Sequence, residues 1–480
     1  MGKKYENVTA KPVKGFFVEM LTRDISLHDA ILDLLDNCVD GILRFSTKNK
    51  KSKKPYDGFF AEITITSEKF EIRDNCGGIP WSEHDRAFRM GRPPDQKGAK
   101  KTNPMTVGVY GIGMKRAIFK MGRTSTIWTQ NDDDAYKIDI TDKWLKDENN
   151  WDLNVLAVEE KMDSSGTVIS ISDLYEDVKD HFSAEVFSKD LLEIIQSHYS
   201  VILQKGFSVK VNGIDAIPRI FAVRYAKIEQ DGNLIRPYIF STRYKYVDVF
   251  ITVGLREPIP DSEKLLSEQE TPQYSTDDAG LTVICNDRVV LFCNKDEMTG
   301  WGTADIPRYH TQFIAVSGIV EFNGDPRDLP MNTTKRGLDF SSAIYQQSLN
   351  RVRDGLRIFI NFTNKWKTRE EQARKIISDT PSISYSELRE NINNKQIQFS
   401  RTRSGLIGDL YQPHLPTPAI ESADVRISFS REKNQVSDLA DKLLDSTNTF
   451  RESEIPRRVG EAAFDFAYKK LVKDITEHEN

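Results

Sequence analysis

The stretch DAILDLLDNCVDGI carries Asp33, Asn37 and Asp40 four and three residues apart, so on a helix their side chains line up along one side. An asparagine amide oxygen set among acids is a hard ligand of the kind Mg²⁺ takes. In RDNCGGIP, Asp74 stands at a strand end ahead of Gly77 and Gly78. A carboxylate there can accept from an amino group deep in a pocket, and the glycines let backbone approach a flat ligand. In VGVYGIGMKRA, Gly108, Gly111 and Gly113 lead into a helix beginning near Met114, with Lys115 beside it. Exposed N–H groups at such a helix start suit phosphate. The GK[ST] ending of a Walker A loop is absent, and no strand-to-helix GxGxxG unit surrounds the glycines. Gly166-Thr167 heads a further strand. Taken singly, these groups also read as a solvated helix stripe, a tight turn, a glycine loop and a strand start.

The elements that position these groups follow from periodicity. Leu27, Ile31, Leu34, Leu35, Cys38 and Ile42 recur at helical spacing and predict a buried face on a helix from about Ser26 to Ile42. Ser26 is its expected N-cap, with Asp29 completing a capping box. AEITIT and FEIRD alternate like paired strands. MKRAIFKMG reads as a short helix, and TSTIWTQ, AYKIDIT, LNVLAVEE and TVISISD as strands. A second strand-rich region runs from about 185 to 340, with FSVKVNG, YVDVFITVGL, LTVICNDRVVLF and FIAVSGIVEF as its clearest strands. A long helical pattern covers 341 to about 377. From about 378 to 435 the chain is polar and reads as a mobile connector, followed by short amphipathic helices in LADKLLDS and EAAFDFAYKKLVKDI.

A chain of 480 residues exceeds one core and implies two or three domains. The expected divisions are 1–182, 183–377 and 378–480. No apolar run is long enough to span a bilayer, and MGKKYENVTAKPVKG lacks a signal-peptide core, which points to a cytoplasmic protein with no membrane partner. Cys38, Cys76, Cys285 and Cys293 have no CxxC spacing and read as free thiols. A net charge of −5 argues against a generally basic nucleic-acid binder, leaving the Lys48–Pro55 run KNKKSKKP as a local exception.

Together and in this order, DLLDNCVDG, DNCGGI, GVYGIGMK and GTVISI resemble the motifs of the GHKL ATPases: gyrase B, the heat-shock-ninety chaperones, histidine kinases and MutL. The resemblance spans about residues 15 to 175. It implies an α+β fold, with a GHKL (Bergerat) ATP-binding sandwich followed by a transducer-like α/β domain and a C-terminal helical or irregular region. It further implies ATP and Mg²⁺ as ligands. Asn37 would hold Mg²⁺ and Asp74 the adenine. Gly78, Gly111, Gly113, Met114 and Lys115 would shape and contact the nucleotide, and Thr167 would support Asp74 through water. Two positions depart from the family. Asp33 stands where its ATPases carry a glutamate that activates water, so its carboxylate is one methylene shorter. DNCGGI replaces the commoner DxGxG.

DLPMNTTKRGLDF lies in a polar loop between a strand and a long helix, where the transducer lysine of gyrase, MutL and MORC proteins would lie. Lys335 is the candidate for contact with the terminal phosphate, and Arg336 its substitute. The layout looks most like MORC-type and related prokaryotic GHKL ATPases. A histidine kinase is disfavoured, because no helix with a phospho-accepting histidine precedes the ATP domain and His28 lies on the motif helix itself. The resemblance therefore implies an ATPase switch that closes as an ATP-dependent homodimer. The alternatives are a nucleotide-sensing scaffold acting through an effector protein, and a clamp closing on nucleic acid.

Overall fold

The computed structural model describes residues 13–45, 52–89, 111–226, 235–256, 278–393, 397–418, 427–428, 430–444 and 455–473. Helices α1 (Lys14–Thr22) and α2 (Leu27–Phe45) come first. Ser26 starts α2 as its sequence predicts. Its hydroxyl accepts from the Asp29 N–H at 3.1 Å and donates to Asp29 Oδ2 at 2.8 Å. Ile31, Leu35, Val39 and Ile42 then bury one stripe of the helix in the core.

The first sheet contains β1 (Phe60–Ile65), β2 (Phe70–Asp74), β3 (Gly122–Gln130), β4 (Ala135–Ile140), β5 (Val155–Ala157), β6 (Gly166–Leu174), β7 (Ser208–Val211) and β8 (Ile214–Asp215). Its order is β5-β4-β3-β6-β2-β1-β7-β8. All pairs are antiparallel except β1 with β7. Alternate residues of β1 are buried, so one face packs against helices and the other meets solvent. Between β2 and β3 lie the short helix α3 (His84–Phe88) and helix α4 (Gly113–Met121). Helices α2, α4 and Glu185–His198 share one hydrophobic core with the buried face of this sheet.

The remaining strands are β9 (Ala222–Arg224), β10 (Tyr238–Tyr244), β11 (Val247–Leu255), β12 (Gly280–Cys285), β13 (Arg288–Asn294), β14 (Val316–Asn323), β15 (Ser382–Ser384), β16 (Ser400–Arg401) and β17 (Asp409–Tyr411). Seven of them form a second sheet ordered β13-β12-β14-β11-β10-β17-β16, and β9 pairs with β15 separately. Strand β12 is buried at every position and β11 at all but one, as strands covered on both faces must be. One face carries the 24-residue helix Ala343–Trp366. Tyr385 and Leu388 pack on the other, together with Phe221 and Val201.

Two expected divisions shift. FSVKVNG supplies β7, which pairs with β1, so the first sheet runs past 182 to Asp215. The stretch after 378, read from its polarity as a mobile connector, instead adds β15, β16 and β17 and buries Leu388, Ile397 and Leu406. A few apolar anchors and strand pairing order a segment whose composition is loop-like. The chain divides into compact units at 418 and 419. The second unit holds helices Lys433–Leu443 and Ile455–Tyr468. Among the described residues no helix is long and apolar enough to cross a membrane. Lys48 to Lys51 of the basic run lie outside the described residues, and Lys53 pairs with Glu390 at 2.7 Å.

Candidate functional site

A cavity of about 310 Å³ opens between α2, the ends of β2 and β6, α3 and the start of α4. Asp33, Asn37, Asp74, Gly78, Gly111, Gly113, Met114, Lys115, Thr167 and Lys335 all line it. Its size falls within the range of small-molecule sites. Gly108 lies outside the described residues.

The Asp74 end, called the base end for the role that the resemblance implies, is fixed by strand register. Asp74 pairs with Thr167 across β2 and β6, and Thr167 with Thr129 across β6 and β3. The Asp74 carboxylate accepts from the Cys76 N–H at 2.8 Å, and the Cys38 thiol donates to Asp74 Oδ2 at 3.5 Å. Burial raises its pKa to about 6, against the opposing pull of hydrogen bonds from Cys76, Cys38 and the Thr167 backbone. Thr167 sits beside Asp74 through this strand pairing. Its hydroxyl lies 3.2 Å from that of Thr129, which accepts from the Ile79 N–H at 2.7 Å. Gly78 has φ +64, and a Cβ there would sit 2.1 Å from the Gln130 carbonyl oxygen. The glycine is needed for backbone to pass backbone, as well as for its place on the cavity wall.

The Asp33 end, called the phosphate end for the role that the resemblance implies, is built from ions. Asn37 is exposed on the wall, Asp40 is half-buried, and Asp33 is buried. Leu34 and Cys38, expected to point into the core, also reach the cavity. Both Asp33 oxygens accept from cations: Oδ2 from the Arg116 guanidinium (Nε at 3.1 Å, and Nη2), and Oδ1 from Lys335 Nζ at 3.2 Å. Lys335 Nζ also donates to Asp36 Oδ2 at 2.7 Å. Burial acts to lower the Lys335 pKa, but the charges of Asp36 and Asp33 outweigh it and hold the ammonium above its ordinary range. Lys335 sits in a loop closed by the Met331–Leu338 bridge, with φ +57. That left-handed conformation costs a non-glycine residue of order 1 kcal/mol, so the tertiary contacts must hold it. Arg336 pairs with Asp29 at 3.0 Å. Asp29, Asp33 and Asp36 are spaced i, i+4, i+7, so one acidic face of α2 meets one cationic loop.

Asp36 is the hub of this end. Arg288 of β13, wholly buried, donates to Asp36 Oδ1 at 3.1 Å and lies over the Tyr199 ring, while the Tyr199 hydroxyl is 2.6 Å from the same oxygen. Burial pushes the Asp36 pKa up, and Lys335 and Arg288 together pull it below its usual value. The Lys115 amine donates to the Ala87 carbonyl at 2.7 Å and to the Gly111 carbonyl, joining α4 to α3. Ile112, at the N-cap of α4, makes no side-chain capping bond, and Gly113 and Met114 of the first turn line the cavity. Asn37 and Asp40 offer the hard oxygens that Mg²⁺ takes alongside nucleotide phosphates, so the donor set fits that ion.

Arg116 and Arg288 have no assigned role in the motif reading, which takes Asp36 only as the next candidate for the base after Asp33. Arg116 directly follows Lys115 and Asp36 directly precedes Asn37, so position beside a motif residue was an available signal for these two. Arg288 has no such signal, because only the tertiary fold brings β13 to α2.

A layered α/β sandwich whose cavity joins a half-buried carboxylate, a helix start and a cation–carboxylate cluster suits a nucleotide. Residues 25–167 match the family model described as "Histidine kinase-, DNA gyrase B-, and HSP90-like ATPase", so this chain carries a domain of the GHKL superfamily. No curated protein matches the chain.

Proposed function

We propose that the protein is a Mg²⁺-dependent ATP switch with slow hydrolysis, in which Lys335 senses the terminal phosphate. The observation that carries this reading is the place of Lys335. It leaves the loop after the second sheet and enters the phosphate end of the cavity, where Asp33 and Asp36 hold it. A γ-phosphate at that end would offer Lys335 a competing anion, and ADP would not. Such a difference between ligands is what any two-state switch requires. Asp74 would accept from the adenine amino group, with Gly78 and Thr167 shaping that end. Gly111, Gly113, Met114 and Lys115 would line the phosphate path. Asn37, with Asp40, would hold Mg²⁺, which neutralises phosphate charge. Once Lys335 turned to the phosphate, Asp33 Oδ1 would be freed to accept a proton from water, with Oδ2 still held by Arg116. Two subunits would close over their nucleotides in this state, and an effector protein would read the closure.

Phosphate release and light scattering test the reading. Asp33→Ala should keep ATP binding and lose about 10²–10⁴-fold in turnover, the range for a general base. Calorimetry that finds no ATP binding by the parent would sink the proposal.

The pairing of Asp33 with Arg116 favours a second reading, a nucleotide-sensing scaffold with little hydrolysis. Parent turnover no faster than that of Asp33→Ala would select it.

A further inference from the structure

Among the described residues, one group of three metal-type ligands comes together, at the base end of the cavity. Cys38 on α2, Asp74 at the end of β2 and Cys76 just beyond it bring two sulfurs and a carboxylate oxygen within 4.8 Å of one another. The Cys38 sulfur is 3.5 Å from Asp74 Oδ2. With Zn–S near 2.3 Å and Zn–O near 2.0 Å, the S···O edge of a zinc tetrahedron is about 3.5 Å and its S···S edge about 3.8 Å. The Cys38–Asp74 spacing therefore matches that edge, and the other two separations lie within 4.8 Å, so a tetrahedral ion needs the ligand atoms to close by on the order of 1 Å at most. All three residues line the cavity, so a fourth ligand position faces open space. Buried thiols more often serve as small apolar fillers. Here, however, both sulfurs converge on one carboxylate at a cavity wall. Cys285 and Cys293, buried in the second sheet, lie outside this group.

We propose that Cys38, Asp74 and Cys76 form a site for a thiophilic divalent cation of the zinc class, which excludes the adenine ring while it is bound. Metal binding stands on the ligand geometry alone. The exclusion rests on the proposed adenine role of Asp74. The reaction is a ligand exchange: the cation forms two metal–sulfur bonds and one metal–oxygen bond, two thiol protons pass to solvent, and no electrons change hands.

The test is a titration of the full chain with Co²⁺ under a non-thiol reductant, following the sulfur-to-cobalt charge-transfer band. One Co²⁺ per chain with a thiolate band is expected, displaced by an equivalent of Zn²⁺. Cys38→Ala and Cys76→Ala should each lose the band, whereas Cys285→Ala and Cys293→Ala should keep it. Absence of the band in the folded parent overturns the site, as does its survival in both Cys38→Ala and Cys76→Ala. Mg²⁺-saturated ATP should bleach the band at least tenfold more effectively than Mg²⁺-saturated GTP, which chelates cobalt equally well in solution. Equal bleaching by the two, in a protein that calorimetry shows to bind ATP, overturns the exclusion. If calorimetry shows no ATP binding while the thiolate band is present, the ATP reading fails and the metal site stands.

Discussion

The two ends of the cavity are held in place by different physics. At the base end, Asp74, Thr167 and Thr129 are set by adjacent strand registers, and their contacts are short-range hydrogen bonds within one sheet. At the phosphate end, Asp33 and Asp36 of α2 are gripped by Arg116 of α4, Arg288 of β13 and Lys335 of a loop beyond β14. The base end is a pocket that backbone pairing pre-forms. The phosphate end is a cluster of buried charge whose members come from helices packed on the first sheet, from β13 of the second and from the loop after β14. Under the proposed switch, an anion entering this end would compete for contacts that join the two sheets.

The largest expected effect comes from the hub of the charged end. Asp36→Asn removes the carboxylate facing Arg288, which is wholly buried. Breaking a buried ion pair by removing one partner costs about 3–5 kcal/mol, because the other charge is stranded. Urea unfolding should show a loss of that size. For comparison, Thr129→Val at the base end removes only neutral hydrogen bonds, worth about 0.5–1.5 kcal/mol each. Equal losses in the two variants would erase the proposed difference between the ends.

This contrast also explains what was legible in the sequence. DNCGGI and GTVISI are local patterns, each legible within its own segment, although the two lie far apart in the chain and only the fold pairs β2 with β6. Helix α2 was legible too, down to its Ser26 and Asp29 cap. The ionic partners were not. Nothing near Arg288 in the sequence marks it as the counter-ion of Asp36, since a residue on one sheet meets a helix on another only after both have folded. Burial of Asp33 was hidden for the same reason. Its spacing with Asn37 predicts a shared face, yet the cations that make its burial tolerable come from other elements. The loop-like composition after 378 misled because Leu388, Ile397 and Leu406 are few in number but fully placed in the core.

Next in size is Lys335→Ala, which sharpens the comparison kinetically. Removing one preorganised donor to developing charge typically costs about 10²–10³-fold in turnover. ADP affinity should stay within threefold of the parent, which is roughly 0.7 kcal/mol or less. ATP-dependent association, followed by light scattering with a non-hydrolysable analogue, should be lost. A variant that associates and turns over like the parent would remove the phosphate-sensing role from this loop.

Asp74→Asn probes the other end. It replaces a charged acceptor by an amide that also carries donors, and should weaken ATP and ADP alike by about 1.5–3 kcal/mol, the range for a hydrogen bond to a charged group. Equal loss for both nucleotides is the informative part, because the base end should not distinguish them. Preferential loss of ATP over ADP in calorimetry would mean that the two ends are not separable.

The smallest effect is a pH dependence confined to the base end. Burial raises the Asp74 pKa to about 6. The adenine amino group donates, so it favours the ionised carboxylate, and binding opposes protonation. Affinity should therefore fall as pH drops through 6, with Kd rising about tenfold between pH 7 and pH 5. The effect on stability has the opposite sign. The folded-state pKa lies above the group's ordinary value of 3.8, so between about pH 4 and 6 the folded protein holds more proton than the unfolded chain. The contribution of this group to stability accordingly improves as pH falls through that window. Weaker binding alongside a locally relieved fold separates this titration from general acid unfolding. The phosphates of ATP titrate in the same range, so the measurement is the difference between parent and Asp74→Asn at each pH. The parent's Kd should change relative to the variant's by about tenfold across the window. A constant ratio would show that Asp74 does not face the base as a carboxylate, and would leave the charged end as the only part of the cavity with an assigned role.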